Sequence, residues 1–477
     1  MNHYDLFKNA VWISAKDPEI CPIIRKTFLL DEEPKNASVT ILGFGSFICY
    51  VNGKPITEDL FLPLSSEYES RGVPIGEEIS FVAYPCRYNI SHLLKKGKNT
   101  VSVILGNGLY TSSHWGAIPY GEKKLCFCID ADGKSVVTDT TERYRDSFVK
   151  FSDLHKGEHH DYSELDLDMI LSDIDDSTWE NVIEAKEPDT VYELSDCPCD
   201  RVIGSITPTL IFSDGERAIY DAGENLTGFP VITSLCGSDE IHVSFSETLT
   251  ESGELDVTHR FEQRFNIKSG GKEISCTPLF TWLAFRYFEI KGKAVSNTVL
   301  KVHGDIPVSS HFECNDETVN WIYNAYINTQ LCNMHTGIPS DCPHIERRGY
   351  TGDGQLTCHA AMMTLDSKAF YRKWIRDISN CQDKISGHVQ YTAPYTKRGG
   401  GPGGWGSAIV TVPYEYYKAF GDETPMRELY PQMLKYFDFM ESHSERGLVT
   451  KDSPKAWCLG EWCTPGPVVL PAPFVNN

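Results

Sequence analysis

Residues 315–331 read Asn315-Asp316-Glu317-Thr318-Val319-Asn320-Trp321-Ile322-Tyr323-Asn324-Ala325-Tyr326-Ile327-Asn328-Thr329-Gln330-Leu331, and the organisation of the whole chain turns on them. Val319, Ile322, Tyr323, Tyr326, Ile327 and Leu331 recur at helical spacing. Asn315-Asp316-Glu317 supplies a helix start, with Asn315 as the cap and the acids facing the positive end of the helix dipole. Upstream the period is different. Ser38-Val39-Thr40-Ile41-Leu42, Val101-Ser102-Val103-Ile104-Leu105, Ile241-His242-Val243-Ser244-Phe245 and Phe285-Arg286-Tyr287-Phe288-Glu289-Ile290 are short, apolar or β-branched runs that predict strands. Phe47-Ile48-Cys49-Tyr50-Val51 leads into Asn52-Gly53, a hairpin signal, because both residues tolerate positive φ. Downstream, helical spacing covers about 353–363, 367–381, 408–420 and 424–443. The chain therefore reads as a multidomain β + α protein, with antiparallel β-sandwiches in residues 1–200 and 201–308 and a helical domain in 309–477. Residues 141–190 are acidic and less periodic, and a connector is expected near Asp196-Cys197-Pro198-Cys199.

Composition narrows the function. At 477 residues, 41% of them hydrophobic, the chain can bury several cores, which excludes a disordered protein. No apolar run reaches the length of a membrane span. The first residues lack a basic stretch followed by an apolar one, so no leader is expected, and a cytoplasmic location follows. With 44 basic against 66 acidic residues, the net charge of −22 repels phosphate backbones and argues against nucleic-acid binding. The 16 cysteines are scattered without a CxxC pair, so reduced and mostly buried thiols are expected.

The densest polar cluster is Asp341-Cys342-Pro343-His344-Ile345-Glu346-Arg347-Arg348-Gly349-Tyr350-Thr351-Gly352-Asp353. A solvated loop is its plain reading: Glu346 would pair with Arg347 or Arg348, and Asp353 would cap a helix starting at Gly354. A sugar-processing site uses the same residue types. Carboxylates accept paired hydroxyls, aromatic rings cover the C–H face of a sugar, and one carboxyl group protonates a leaving oxygen. Cys342 precedes Pro343 and has no activating partner in sequence, so it reads as a structural thiol. His335 and His344 lack metal-ligand spacing.

Residues 340–355 resemble the signature of the glycoside hydrolase family 78 α-L-rhamnosidases, in which an Asp-Cys-Pro run leads to Glu-Arg and then to Gly-(Trp/Tyr)-Thr-Gly-Asp. Gly106-Asn107-Gly108-Leu109-Tyr110, Asp221-Ala222-Gly223-Glu224-Asn225-Leu226-Thr227-Gly228, Trp405-Gly406-Ser407-Ala408-Ile409 and Leu459-Gly460-Glu461-Trp462 resemble further pieces of that family in the same order. The resemblance implies removal of terminal non-reducing α-L-rhamnose by an inverting acid/base mechanism. It implies Glu346 as the general acid, and Asp341, Asp353, Tyr350, Arg347, Trp405, Trp462 and Glu461 as substrate-binding residues. It also implies an (α/α)6 toroid. Residues 309–477 show about five helices, fewer than six hairpins need. The toroid is thus expected to be partial, with the general base beyond residue 477. Exposed apolar helix faces would then be covered by a missing catalytic segment or by a homo-oligomer. The partners implied are rhamnose-containing glycosides or oligosaccharides. No metal or organic cofactor is expected. The alternatives are a non-catalytic carbohydrate-binding protein, or another toroid glycosidase or a phosphorylase.

Overall fold

The computed structural model describes residues 2–72, 75–163, 170, 174–237, 239–257, 263–396 and 401–451. It begins with a short helix, α1 (His3–Phe7), closed at its start by the Asn2 side chain. Two six-stranded sheets follow. One centres on Ala37–Phe44 paired with Lys124–Ala131, the other on Pro22–Leu30 and Ser46–Val51, which flank Gly97–Gly106. Ile24, Phe47, Val101 and Val103 from one sheet and Ile13, Val39, Ile41, Leu125, Phe127 and Ile129 from the other fill one core. The hairpin after Val51 turns on Asn52 and Gly53, both with positive φ, as their sequence demanded.

The second sandwich is built on a nine-stranded sheet containing Asp200–Ile206, Arg217–Pro230, Glu240–Ser246, Arg264–Lys268, Leu283–Lys291 and Val299–Gly304. A three-stranded sheet of Ile232–Ser234, Ser275–Cys276 and Ala294–Val295 accompanies it. Two strands of the large sheet come from far upstream. Val149–Asp153 and Gly157–Asp161 form a hairpin, and Gly157–Asp161 pairs in parallel with Arg264–Lys268. The stretch read as aperiodic thus contributes two strands to the later sandwich. Its sequence hides them because a polar group is buried there. The Glu158 carboxylate accepts the Leu279 N–H at 3.0 Å and the Phe280 N–H at 2.7 Å, and lies 2.7 Å from His160 Nε2.

The change of period near residue 315 is a change of architecture. Helices α2 (Glu317–Cys332), α3 (Thr351–Thr364), α4 (Lys368–Asn380), α5 (Ala408–Phe420) and α6 (Thr424–Ser442) follow. The cap of α2 is Asp316 rather than Asn315. Its carboxylate accepts the N–H groups of Thr318 at 2.9 Å and Val319 at 3.3 Å, which places it one residue closer to the helix than the sequence suggested. Trp374, Tyr371, Val412, Tyr416, Tyr436 and Phe439 form the helical core, and Leu64, Ile79, Val82 and Tyr84 of the first sandwich are continuous with it. Leu356, Met363, Tyr414, Tyr417, Tyr430 and Phe437, on α3, α5 and α6, stay exposed.

Fourteen described cysteines are free thiols, and nine of them are buried. Lys373 on α4 is also buried: its ammonium donates to Asp377 Oδ2 at 2.6 Å, to the Gly337 carbonyl at 3.1 Å and to the Ser65 carbonyl of the first sandwich.

Candidate active site

The polar loop joins the end of α2 to the start of α3, and it closes on itself. Asp341 N–H donates to the Arg348 carbonyl at 3.1 Å, and Arg348 N–H returns a bond of 3.1 Å to Asp341 Oδ1. The Cys342 thiol donates to Asp341 Oδ2 at 3.1 Å and receives the Glu346 N–H at 3.4 Å. Burial raises the thiol pKa to about 11, so Cys342 is a neutral strut of the loop.

Three carboxylates gather around it. Asp341 is lifted to about 6, mainly by burial, with a further push from the Glu346 charge and opposition from its hydrogen bonds. Asp353 is also raised, first by burial and then by Glu346. The Tyr350 hydroxyl donates to Glu346 Oε2 at 2.5 Å, and burial followed by this bond holds the phenol protonated. Helix α3 begins at Thr351 with Tyr350 in the cap position, so Asp353 lies within its first turn. Asp353 is therefore not the N-cap. Near the positive end of the helix a carboxylate is favoured, yet desolvation outweighs that here.

Trp405 forms an aromatic wall. Its ring meets Tyr350 edge-on at 5.5 Å between centroids and Tyr391 at 5.4 Å. The ring packs onto Gly352, where an added Cβ would sit 2.5 Å from Trp405 Cδ2. A glycine is needed at that point because the indole occupies the space of any side chain. These contacts and charges bring together Asp341, Glu346, Tyr350, Asp353 and Trp405. Glu461 and Trp462 lie outside the described residues.

Arg347 is placed elsewhere. Its backbone has φ +53°, and its guanidinium is buried in the second sandwich. There it donates to the carbonyl of Leu154, to Thr281 Oγ1 at 3.1 Å and to Gln263 Oε1 at 2.7 Å, and it lies 5.0 Å from the centroid of Trp282. Burial lowers its pKa to about 9. The left-handed backbone turn swings the side chain into the sandwich, so Arg347 is corrected from a sugar-binding residue to a domain-joining one.

Two histidines absent from the sequence reading border the loop. His155 Nε2 lies 3.1 Å from the Glu346 carbonyl, and its ring stacks on His114 at 3.8 Å. The His114 carbonyl accepts Arg348 Nη2 at 2.7 Å. Burial lowers both imidazoles, His114 to about 4, and neighbouring arginines lower them further. Only the turn-forming Asp153 before His155 gave a local signal, and it marked a turn rather than a site. These histidines arrive from a short 3-10 turn at His114–Gly116 and from the tip of the 149–161 hairpin, about two hundred residues upstream.

Comparison with known proteins gives three tandem family-model matches: an α-L-rhamnosidase N-terminal domain over residues 32–203, a bacterial α-L-rhamnosidase concanavalin-like domain over 213–306, and a bacterial α-L-rhamnosidase six-hairpin glycosidase domain over 307–474. An α-L-rhamnosidase of Formosa agariphila is 26% identical across 92% of this chain and 49% of its own length. One from an Alteromonas species is 26% identical across 96% of this chain and 52% of its own. The chain therefore spans about half the length of these relatives. Among solved structures, the α-L-rhamnosidase from Dictyoglumus thermophilum superposes with a TM-score of 0.87 at 28% identity, over 98% of this chain and 54% of that one. The Streptomyces avermitilis α-L-rhamnosidase, solved with L-rhamnose, shares the fold at a TM-score of 0.83 and 22% identity, over 93% of this chain and 43% of its own.

Proposed function

The chain belongs to the α-L-rhamnosidases of glycoside hydrolase family 78, and from that premise we propose that it acts on terminal α-L-rhamnose, with Glu346 as the general acid of an inverting hydrolysis. The observation that carries the reading is the grouping of Asp341, Glu346 and Asp353 under Tyr350 and Trp405.

In this reading Tyr350 holds Glu346 Oε2, which leaves Oε1 to deliver a proton to the glycosidic oxygen. Asp341 and Asp353 accept sugar hydroxyls, and Trp405 covers the sugar's apolar edge. Inversion also needs a carboxylate that activates water from the opposite face. We assign that role to none of the described residues. Helices α2–α6 are read as part of an (α/α)6 toroid, and the water-activating group as belonging to its other hairpins. The buried free thiols support a reducing compartment, in keeping with a cytoplasmic location.

The test is nitrophenolate release from p-nitrophenyl α-L-rhamnoside, paired with L-rhamnose calorimetry, on the wild type and on Glu346→Ala. Nitrophenolate release supports the hydrolase, and a loss of turnover in Glu346→Ala that is far larger on methyl α-L-rhamnoside than on the nitrophenyl substrate supports Glu346 as its acid. Rhamnose binding without release supports a sugar-binding half-site that lacks its base. Neither release nor binding at millimolar sugar sinks the reading.

A further inference from the structure

The proposed general acid is carried by the helical domain, and its backbone N–H is held within its own loop by Cys342, but the contacts to its carbonyl and to the side chain of the next residue come from the second sandwich. The hairpin between Val149–Asp153 and Gly157–Asp161 presents Leu154 and His155 at its tip. The Asp153 carboxylate accepts the N–H groups of His155 at 2.9 Å and Lys156 at 2.8 Å, which makes the tip rigid. His155 Nε2 reaches the Glu346 carbonyl at 3.1 Å. The Leu154 carbonyl takes a hydrogen bond from Arg347 Nη1 and a second, at 2.8 Å, from Thr281 Oγ1. Gln263, which receives Arg347 Nη2, is itself locked to the backbone of Ala284 by bonds of 2.9 and 2.8 Å.

Two features make this more than packing. Arg347 is a non-glycine residue at φ +53°, a conformation that persists only when its surroundings impose it. Its guanidinium is buried, and among the described residues it forms no ion pair, so its charge rests on neutral oxygens. A costly conformation and a costly burial coincide at the residue that follows the acid.

We propose that the Leu154–His155 tip and Arg347 form a positioning device, supplied by the second sandwich, that fixes the backbone of Glu346 and so aims its carboxyl group at the leaving oxygen. The proposal rests on the reading of Glu346 as the acid. Neither His155 nor Arg347 is a catalytic residue, since each acts through Glu346. The sandwich would thereby be a working part of the acid's geometry rather than an appended module.

The test uses His155→Ala and His155→Gln in the full chain, because Gln keeps a donor in place of Nε2. Arg347→Met serves as the harsher variant. Turnover is compared on methyl α-L-rhamnoside, whose poor leaving group needs protonation, and on p-nitrophenyl α-L-rhamnoside, whose leaving group needs little. The expected result is a fall in kcat of about tenfold or more on the methyl glycoside in His155→Ala, with KM and the nitrophenyl rate within about twofold, and recovery in His155→Gln. Equal losses on both substrates, or no loss, would overturn the proposal. If the wild type turns over neither substrate, the hydrolase reading of this chain fails on its own. The crystal structure of His155→Ala then decides: displacement of the Glu346 carboxylate from Tyr350 is expected, and an unchanged contact rejects the device.

Discussion

Tyr350 and Glu346 are four residues apart, and a left-handed turn at Arg347 separates them, yet the phenolic hydroxyl meets Glu346 Oε2 at 2.5 Å. The bond holds one oxygen of the carboxylate that we propose as the general acid. Tyr350→Phe keeps the ring against Trp405 and removes only the donor. A hydrogen bond to a charged group contributes about 1.5–3 kcal/mol, so kcat on an alkyl rhamnoside is expected to drop roughly ten- to hundredfold. Steady-state kinetics on methyl and nitrophenyl rhamnosides check this, and a loss confined to KM would contradict it.

Gly352 and Trp405 share one space. Gly352→Ala places a methyl group against the indole and must move it. A destabilisation of about 1–3 kcal/mol is expected from overpacking, together with weaker L-rhamnose binding as the wall shifts. Denaturant unfolding and calorimetry read the two effects separately. An alanine variant with native stability would show that the ring yields freely.

Asp341 links the loop to pH. Its pKa is raised from 3.8 to about 6 by burial, so the folded protein keeps a proton that the unfolded chain releases. Between these values the native state binds more protons, and stability falls as pH rises. At neutral pH the penalty is on the order of 2–3 kcal/mol. Asp341→Asn is therefore expected to be more stable than the wild type above pH 6 and equal to it below about pH 4. L-Rhamnose affinity in the wild type is expected to rise as pH passes about 6, because the ionised carboxylate is the better acceptor. Thermal melts and calorimetry from pH 4 to 8 measure both trends.

Lys373 and Asp377 form a buried pair where α4 meets the first sandwich. Burial raises Asp377 to about 7, against the pull of Lys373. Lys373→Met strands that carboxylate and is expected to cost about 3–5 kcal/mol, whereas Lys373→Met combined with Asp377→Leu recovers much of the loss. Urea unfolding followed by tryptophan fluorescence compares the variants. Additive losses would rule out the pairing as the cause.

The strand and helix plan was legible because most elements bury one face, and that leaves a periodic trace. The pattern over 408–420 corresponds to α5 and that over 424–443 to α6, within one residue. The hairpin of Val149–Asp153 and Gly157–Asp161 was not legible, since Glu158 and His160 are buried through hydrogen bonds rather than apolar contact. The polar loop was legible as a cluster of residue types, and the Tyr350 bond to Glu346 joins two of its members; their roles were implied by the resemblance alone. The direction of Arg347 was not, because no sequence pattern distinguishes an arginine facing a cleft from one buried behind it.

By itself, the sequence determined the change from β to α near residue 315, the family to which the chain belongs and the identity of the polar loop. The first is a property of local periodicity and the last of residue type, whereas the family rests on the resemblance of several motifs in order. Tertiary structure alone decided that the hairpin tip at residues 154–155 and the His114 loop converge on that loop, and that Glu346 is held from outside its own domain. Contacts such as His155 to Glu346 join residues 191 positions apart. They depend on how three domains pack, and packing over that separation leaves no period in the chain.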